Sequence, residues 1–415
     1  MGESLGSSVP PVESVIIVGG GLAGLSTAQE LRQRDFTGSI TIIDREGLPY
    51  DRPPLSKAYL QAEASEESLL LVEEAWFEKH NVEVVIGQVQ QLDAATGTVS
   101  LDDARSISAD RIVLATGSIP RPLGVPGSDH SDIMYLRTRF DADRIRPYLG
   151  KGNRLLIVGA GLIGAELAST AVSQGSDVVL VDPTEIPLAA AVGEELATRL
   201  HAMHTEADVT CVLGAVKNLD RTNTGWVATI DRGAGNTPQT VECNAVVVAI
   251  GVLPDTSIAQ ASGLDVNGGV LVNDFQQTSS SRVFAVGDMA RHRRADGTLD
   301  RIHEHWESAA TDGRRAAAAI LGQDPASVGA PWFWSDRYDV HVEVVGSMTG
   351  PGETAIRDSS DGSWAAFRVH DDMLVGCAGI DATKLVRAAR RIIDKRVPVT
   401  AKELVTASDL RRLAR

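Results

Sequence analysis

Six glycines and two aspartates carry the plainest chemistry in this chain. In "GGGLAG" Gly19, Gly21 and Gly24 fall on the spacing GxGxxG, and in "GAGLIG" Gly159, Gly161 and Gly164 repeat it. At such a turn the first glycine permits a tight reversal, the second lets backbone approach a pyrophosphate, and the third lets helix and strand pack closely. The helix N-terminus that follows favours negative charge. Each fingerprint runs on to an aspartate, Asp44 or Asp182, where a carboxylate would accept ribose hydroxyls. The plainer alternative is that each aspartate only ends a strand in a turn. Asp182 favours a free 2′-hydroxyl over a 2′-phosphate, and the following "PTEIPL" adds Glu185 and no Arg or Lys, so NADH is expected over NADPH.

These residues need particular elements to hold them. "SVIIVGGGLAGLSTAQELRQRDFTGSITIID" reads as a β-branched strand, a glycine turn, an amphipathic helix and a second strand, and the pattern returns from Asn153 to Asp182. Two dinucleotide sites suggest one fixed redox cofactor and one mobile hydride donor, with FAD and NADH the natural pair. The spacing alone does not say which fingerprint binds which. "ADRIVLATGSIP" and "CNAVVVAIGVLPDT" read as the exit strands of the two units. "RVFAVGDMA" closes on Gly287 and Asp288 ahead of a helix from Trp306 to Leu321. From Pro331 onward, "YDVHVEVVG", "SWAAFRVH" and "MLVGCAGI" read as strands before a basic helical tail, a separate α+β domain. The fold class expected is α/β, with two Rossmann-like dinucleotide-binding domains plus a C-terminal α+β domain.

Composition narrows the chemistry further. The chain has 415 residues, 43% of them hydrophobic, enough for two or three domains. Its three cysteines, Cys211, Cys243 and Cys377, are scattered without a CxxC or CxxxxC pair. A disulfide scaffold, a metal site and a dithiol redox centre all lose support, and a cytoplasmic setting is expected. A net charge of -16 argues against nucleic acid as partner. "MGESLGSSVPPVES" lacks the basic start and apolar run of a signal peptide, and no segment approaches ~18 uninterrupted apolar residues, so no membrane association is expected. Residues 1–13 read as a flexible leader.

Taken together, "GGGLAG", "LPYDRPPLSK", "ATGSIP", "YLRT", "GAGLIGAELA", "AIGVLPDT", "VFAVGD", "EHW" and "FWSDRY" resemble the FAD-dependent ferredoxin reductases of Rieske oxygenase and bacterial cytochrome P450 systems, the putidaredoxin and rubredoxin reductase type. The resemblance implies a glutathione-reductase-like layout. Its FAD-binding domain would be discontinuous, 14–122 and 254–328, its NAD-binding domain 123–253 and its C-terminal domain 329–415. It places FAD in the first fingerprint and NAD in the second. It implies that Leu22, Ala23, Arg52, Lys57, Val89, Ala115, Thr116, Gly117, Arg137, Asp288, Glu304, His305 and Trp306 line the FAD, with Asp288 on the ribitol. Asp44 and Arg45 compete for the FAD ribose. On the NAD side it implies Leu162, Ile163, Glu166 facing the nicotinamide, and Gly251 beside it. The chain departs from the pattern at Ser308, Asp312 and Arg337, where Asn, Gln and Gln are usual.

The stretch "GLPYDRPPLSK" follows the first fingerprint, where a redox enzyme of this layout often keeps a reactive cysteine pair, and it holds no cysteine. That excludes a disulfide reductase of the glutathione or dihydrolipoamide kind at this position. What remains is Lys57, which the resemblance sets near the flavin N5, paired with Glu166 as the catalytic couple. Trp332 and Trp334, two apart on a strand, would share a face, and the resemblance puts Trp334 where the iron-sulfur protein docks. The implied partner is a [2Fe-2S] ferredoxin, or a rubredoxin, feeding a cytochrome P450 or Rieske oxygenase from a monomer or homodimer. From Ile380 to Arg415, ten basic residues face four acidic ones, a local surface for an acidic partner or simply a solvated helix face. The rival acceptors are a quinone, monodehydroascorbate or oxygen; a different class is an NADH-sensing flavoprotein resembling apoptosis-inducing factor.

Overall fold

The structure, a computed structural model, describes residues 12–302, 304–325, 327–359 and 362–414. Most of the expected leader therefore lies outside the described residues. The chain forms two compact units.

The first unit gathers Met1–Asp51, Leu70–Ser118 and Pro254–Val328. Its centre is a five-stranded parallel sheet in the order Val283–Ala285, Arg111–Leu114, Ser14–Val18, Ser39–Asp44, Val82–Ile86. The inner strands are runs of Val and Ile buried on both faces, as parallel strands with covered faces must be, while the edge strand Val82–Ile86 exposes Glu83 and Ile86. The fingerprint helix Leu22–Gln33 covers one face and packs on the helix Trp306–Ile320. A three-stranded antiparallel meander, Val89–Asp93, Thr98–Leu101 and Ser106–Ser108, shares the core on the other face.

The second unit gathers Arg52–Leu69, Ile119–Leu253 and Gly329–Arg415. Its parallel sheet repeats the first in the order Thr210–Leu213, Asp177–Asp182, Arg154–Val158, Ala245–Val248, Met134–Tyr135. A meander of Ala215–Arg221, Trp226–Asp231 and Gln239–Cys243 packs beside it. The C-terminal part is a five-stranded antiparallel sheet, Trp332–Arg337, Val340–Gly346, Met373–Ile380, Trp364–His370, Glu353–Asp358. One face carries the helices Thr383–Lys395 and Ala401–Thr406. The other buries Val342, Val344, Trp364 and Ala378 against Leu196 and Leu200 of the helix Glu194–Glu206.

The first hairpin of this sheet differs from the sequence reading. Tyr338 and Asp339, expected in a strand, form a two-residue turn with φ of +49° and +61°. Two adjacent left-handed residues give the turn whose twist matches the strands it joins. Among the described residues no helix is long and apolar enough to cross a membrane.

Candidate cofactor and redox sites

Both glycine turns are closed by the aspartates predicted from spacing. In the first unit Asp44 accepts the Gly20 N–H at 2.6 Å and the Glu46 N–H at 2.7 Å. In the second, Asp182 accepts the Ala160 N–H at 2.8 Å and the Thr184 N–H at 2.8 Å. Each carboxylate thus holds the turn that would carry a pyrophosphate, which is the plainer, turn-ending role.

The glycines fit the role. Gly19 has φ of +111°, and a Cβ there would come 2.2 Å from the Ala115 carbonyl oxygen. A Cβ on Gly24 would meet the Gly19 oxygen at 2.1 Å, and one on Gly164 the Gly159 oxygen at 1.9 Å. A Cβ on Gly21, by contrast, would meet nothing within 4 Å. The cradle is tight on the protein side and open on the side a diphosphate would approach. Leu22 and Ala23 begin the first helix, Leu162 and Ile163 the second.

Other expected cofactor residues sort by unit. In the first, Ser118 Oγ donates to Asp288 at 2.8 Å, Thr116 Oγ1 donates to the Asp255 carbonyl at 2.7 Å, and the Ala115 N–H bonds Val18 at 2.8 Å. Gly117 has φ of +72°. Glu304 and His305 lead into the helix Trp306–Ile320, and Trp306 Nε1 donates to Asp51 at 2.9 Å. Val89 starts the meander with its side chain buried, and Arg45 is exposed beside Glu46. In the second unit Arg52 donates to the Arg137 carbonyl at 2.6 Å, and Gly251 has φ of +101° with no atom near its Cβ position.

Lys57 and Glu166 meet as expected. The ammonium lies 2.7 Å from Glu166 Oε2, and a second bond of 3.1 Å to the Pro53 carbonyl fixes it. Pro53 and Pro54 open the short helix Pro53–Ser56 and restrict the backbone that presents Lys57. Glu166 is only 6% exposed, so its charge needs partners. Ser56 Oγ donates to Oε2 at 2.5 Å and Ser335 Oγ to Oε1 at 2.6 Å. Behind Ser335 the buried Arg337 guanidinium donates to its hydroxyl at 2.9 Å. Burial lowers the Arg337 pKa, and Glu166 opposes that shift.

Ser56, Ser335 and Arg337 were not among the expected site residues. Ser56 had a local signal, since it sits in "RPPLSK" directly before Lys57. Ser335 lies 169 residues from Glu166, and spacing says nothing at that range. Further along the same strand pair, Tyr338 bonds His204 Nδ1 at 2.6 Å. Burial, then Arg337 and His201, hold His204 down to about 3. Trp332 and Trp334 do share a face, with rings stacked at 5.1 Å and 26°.

No cysteine lies among the residues that bond Lys57 and Glu166. Burial pushes Cys243 up to about 12 and raises Cys211 and Cys377, the opposite of what a thiolate nucleophile needs.

Comparison with known proteins shows what the whole chain is similar to. A family model described as pyridine nucleotide-disulphide oxidoreductase matches residues 13–313, and one described as reductase C-terminal matches 332–414. Rhodocoxin reductase of Rhodococcus erythropolis is 33% identical over 94% of this chain and 91% of its own. The anthranilate 1,2-dioxygenase system ferredoxin--NAD(+) reductase component of Burkholderia cepacia is 34% identical over 91% of this chain and 93% of its own. The reductase in the covalent putidaredoxin reductase–putidaredoxin complex superposes with a TM-score of 0.89 at 31% identity, covering 97% of this chain and 98% of that one.

Proposed function

This chain belongs to the pyridine nucleotide-disulphide oxidoreductase family, and we propose that it passes electrons from NADH, through FAD, to a small ferredoxin that feeds an oxygenase. One observation carries the choice of acceptor. The stretch after the first fingerprint presents a lysine paired with a buried glutamate, and no thiol. Disulphide chemistry, which names the family, has no sulfur to run on there.

We assign FAD to Gly19, Gly21, Gly24 and Asp44 in a domain of 14–122 and 254–328, NADH to Gly159, Gly161, Gly164 and Asp182 in 123–253, and ferredoxin docking to 329–415. FAD, when bound, supplies acceptance of a hydride and release of single electrons. The protein's part is electrostatics and orientation. Lys57 supplies a fixed positive charge to offset the charge that reduction adds to the flavin. Glu166, held by Ser56, Lys57 and Ser335, orients the nicotinamide and keeps Lys57 in one rotamer. Asp182 selects NADH by its free 2′-hydroxyl. Working between a cytosolic hydride carrier and a small carrier protein, the enzyme is assigned to the cytoplasm.

The deciding measurement is cytochrome c reduction by NADH with and without a [2Fe-2S] ferredoxin, with oxygen uptake recorded in parallel. Turnover that depends on the ferredoxin supports the reading. NADH consumed as fast without it would assign the enzyme to a small acceptor.

A further inference from the structure

Asp312 stands in the helix Trp306–Ile320 beside the first glycine turn. A Cβ on its neighbour Gly313 would come 2.4 Å from the Ala23 carbonyl oxygen, so this helix is pressed onto the first turn of the fingerprint helix. A Cβ on Gly287 would meet Ala23 Cβ at 3.0 Å, which brings the turn carrying Asp288 to the same place. Asp312 ties the two together: its Oδ2 accepts the Gly287 N–H at 3.2 Å.

Its other oxygen faces a buried amide. Oδ1 accepts from Gln276 Nε2 at 2.9 Å, and the same nitrogen lies 2.9 Å from His292 Nε2. Gln276 is fully buried, with its backbone at φ of +61°, and its Oε1 has no hydrogen-bond partner among the described residues. Among the described residues, no hydrogen bond on that side fixes which way round the amide lies. A half-turn would present the oxygen to a protonated Asp312, so the network can serve the carboxyl in either state. The charges that face Asp312 are Asp288, which disfavours its ionisation, and Arg315, which favours it; His292 reaches it through Gln276. Burial outweighs the hydrogen bonds and leaves Asp312 pushed up to about 7.

We propose that Asp312 is a positioning residue for FAD: it fixes the turn bearing Asp288 through the Gly287 N–H, and it binds a proton when FAD binds. The inference rests on the assignment of FAD to the first fingerprint. A diphosphate brings negative charge toward a site where Asp288 already stands. Binding therefore favours the neutral carboxyl, and by linkage FAD affinity is highest below the Asp312 titration and falls as pH rises through it.

The test is FAD titration of the apoprotein by fluorescence from pH 5.5 to 8.5, for the wild type, Asp312→Asn and Asp312→Ala. A wild-type loss of about fivefold across the range is expected, a little under the tenfold that one pKa unit gives. Asp312→Asn keeps an oxygen for Gly287 and cannot ionise, so its affinity should stay flat at the acid-limb value. Asp312→Ala should bind more weakly at every pH, also without slope. A wild-type slope retained in Asp312→Asn, or tight binding that is flat with pH in the wild type, overturns the inference and leaves the cofactor assignment standing. Undiminished affinity in a Gly24→Ala protein would overturn both.

Discussion

In the proposed mechanism the ion pair of the half-buried Lys57 and the buried Glu166 acts on the charge of the reduced flavin more than on stability. Removing one member leaves the other desolvated, although Ser56 and Ser335 still bond Glu166. Lys57→Met should lower the flavin midpoint potential and slow reduction by NADH roughly tenfold, the effect of losing ~1.4 kcal/mol of stabilisation. Stopped-flow reduction and a dye-coupled potential titration would check it, and unchanged values would remove Lys57 from the mechanism. Asp182 offers a second handle. Asp182→Asn keeps an oxygen for the Ala160 N–H but drops the charge that repels a 2′-phosphate. The ratio of kcat/KM for NADH over NADPH should fall by about tenfold, with melting temperature little changed.

At the scale of elements, the two fingerprints share one geometry and can be separated by matched substitutions. Gly24→Ala forces a Cβ to within 2.1 Å of the Gly19 oxygen, and Gly164→Ala does the same to the Gly159 oxygen at 1.9 Å. The first should yield protein largely lacking flavin absorbance. The second should retain flavin and raise KM for NADH roughly tenfold or more, each distortion costing ~1–3 kcal/mol locally. The reverse outcome would exchange the cofactor assignments. A pH effect belongs to the helix Glu194–Glu206, where His204 is buried against Tyr338. Its folded pKa, about 3, lies below the ordinary 6.5. The unfolded chain therefore takes up a proton that the folded one refuses, and stability present above 6.5 is lost as pH falls toward 3, by about 1.4 kcal/mol per unit. Thermal melts at pH 7 and 5.5 should differ less in His204→Gln than in the wild type. The glycine turns and their aspartates were legible in the sequence because their constraints are local, a few residues of fixed spacing. The partners of Glu166 were not, since Ser335 reaches it only through the packing of a distant sheet. The Tyr338–Asp339 turn was not legible because Tyr338 has no left-handed preference and Asp339 is followed by Val340, not by the glycine that completes the usual Asp-Gly signal.

For the molecule as a whole, charge is the property through which the proposed partner can be tested. An acidic chain with a net charge of -16 exposes Lys384, Arg387, Arg391, Lys395, Arg411 and Arg412 near its C-terminus. Arg391, Lys395, Arg411 and Arg412 line an open depression of about 670 Å³. If this surface meets an acidic ferredoxin, Arg391→Glu with Arg412→Glu should raise KM for the ferredoxin by about tenfold and flatten its dependence on salt, with NADH reduction of the flavin unaffected. A salt-independent wild-type rate would assign docking elsewhere. The C-terminal sheet also has one of its two apolar faces covered by Leu196 and Leu200 of the helix Glu194–Glu206, and it sends Ser335 to Glu166. An engineer who grafts residues 329–415 from another reductase to change its client would bring in a foreign face for that helix and a foreign neighbour for the glutamate. The exchangeable cassette is therefore not the C-terminal segment alone: a working chimera must carry its own version of the helix and of the residues around Glu166.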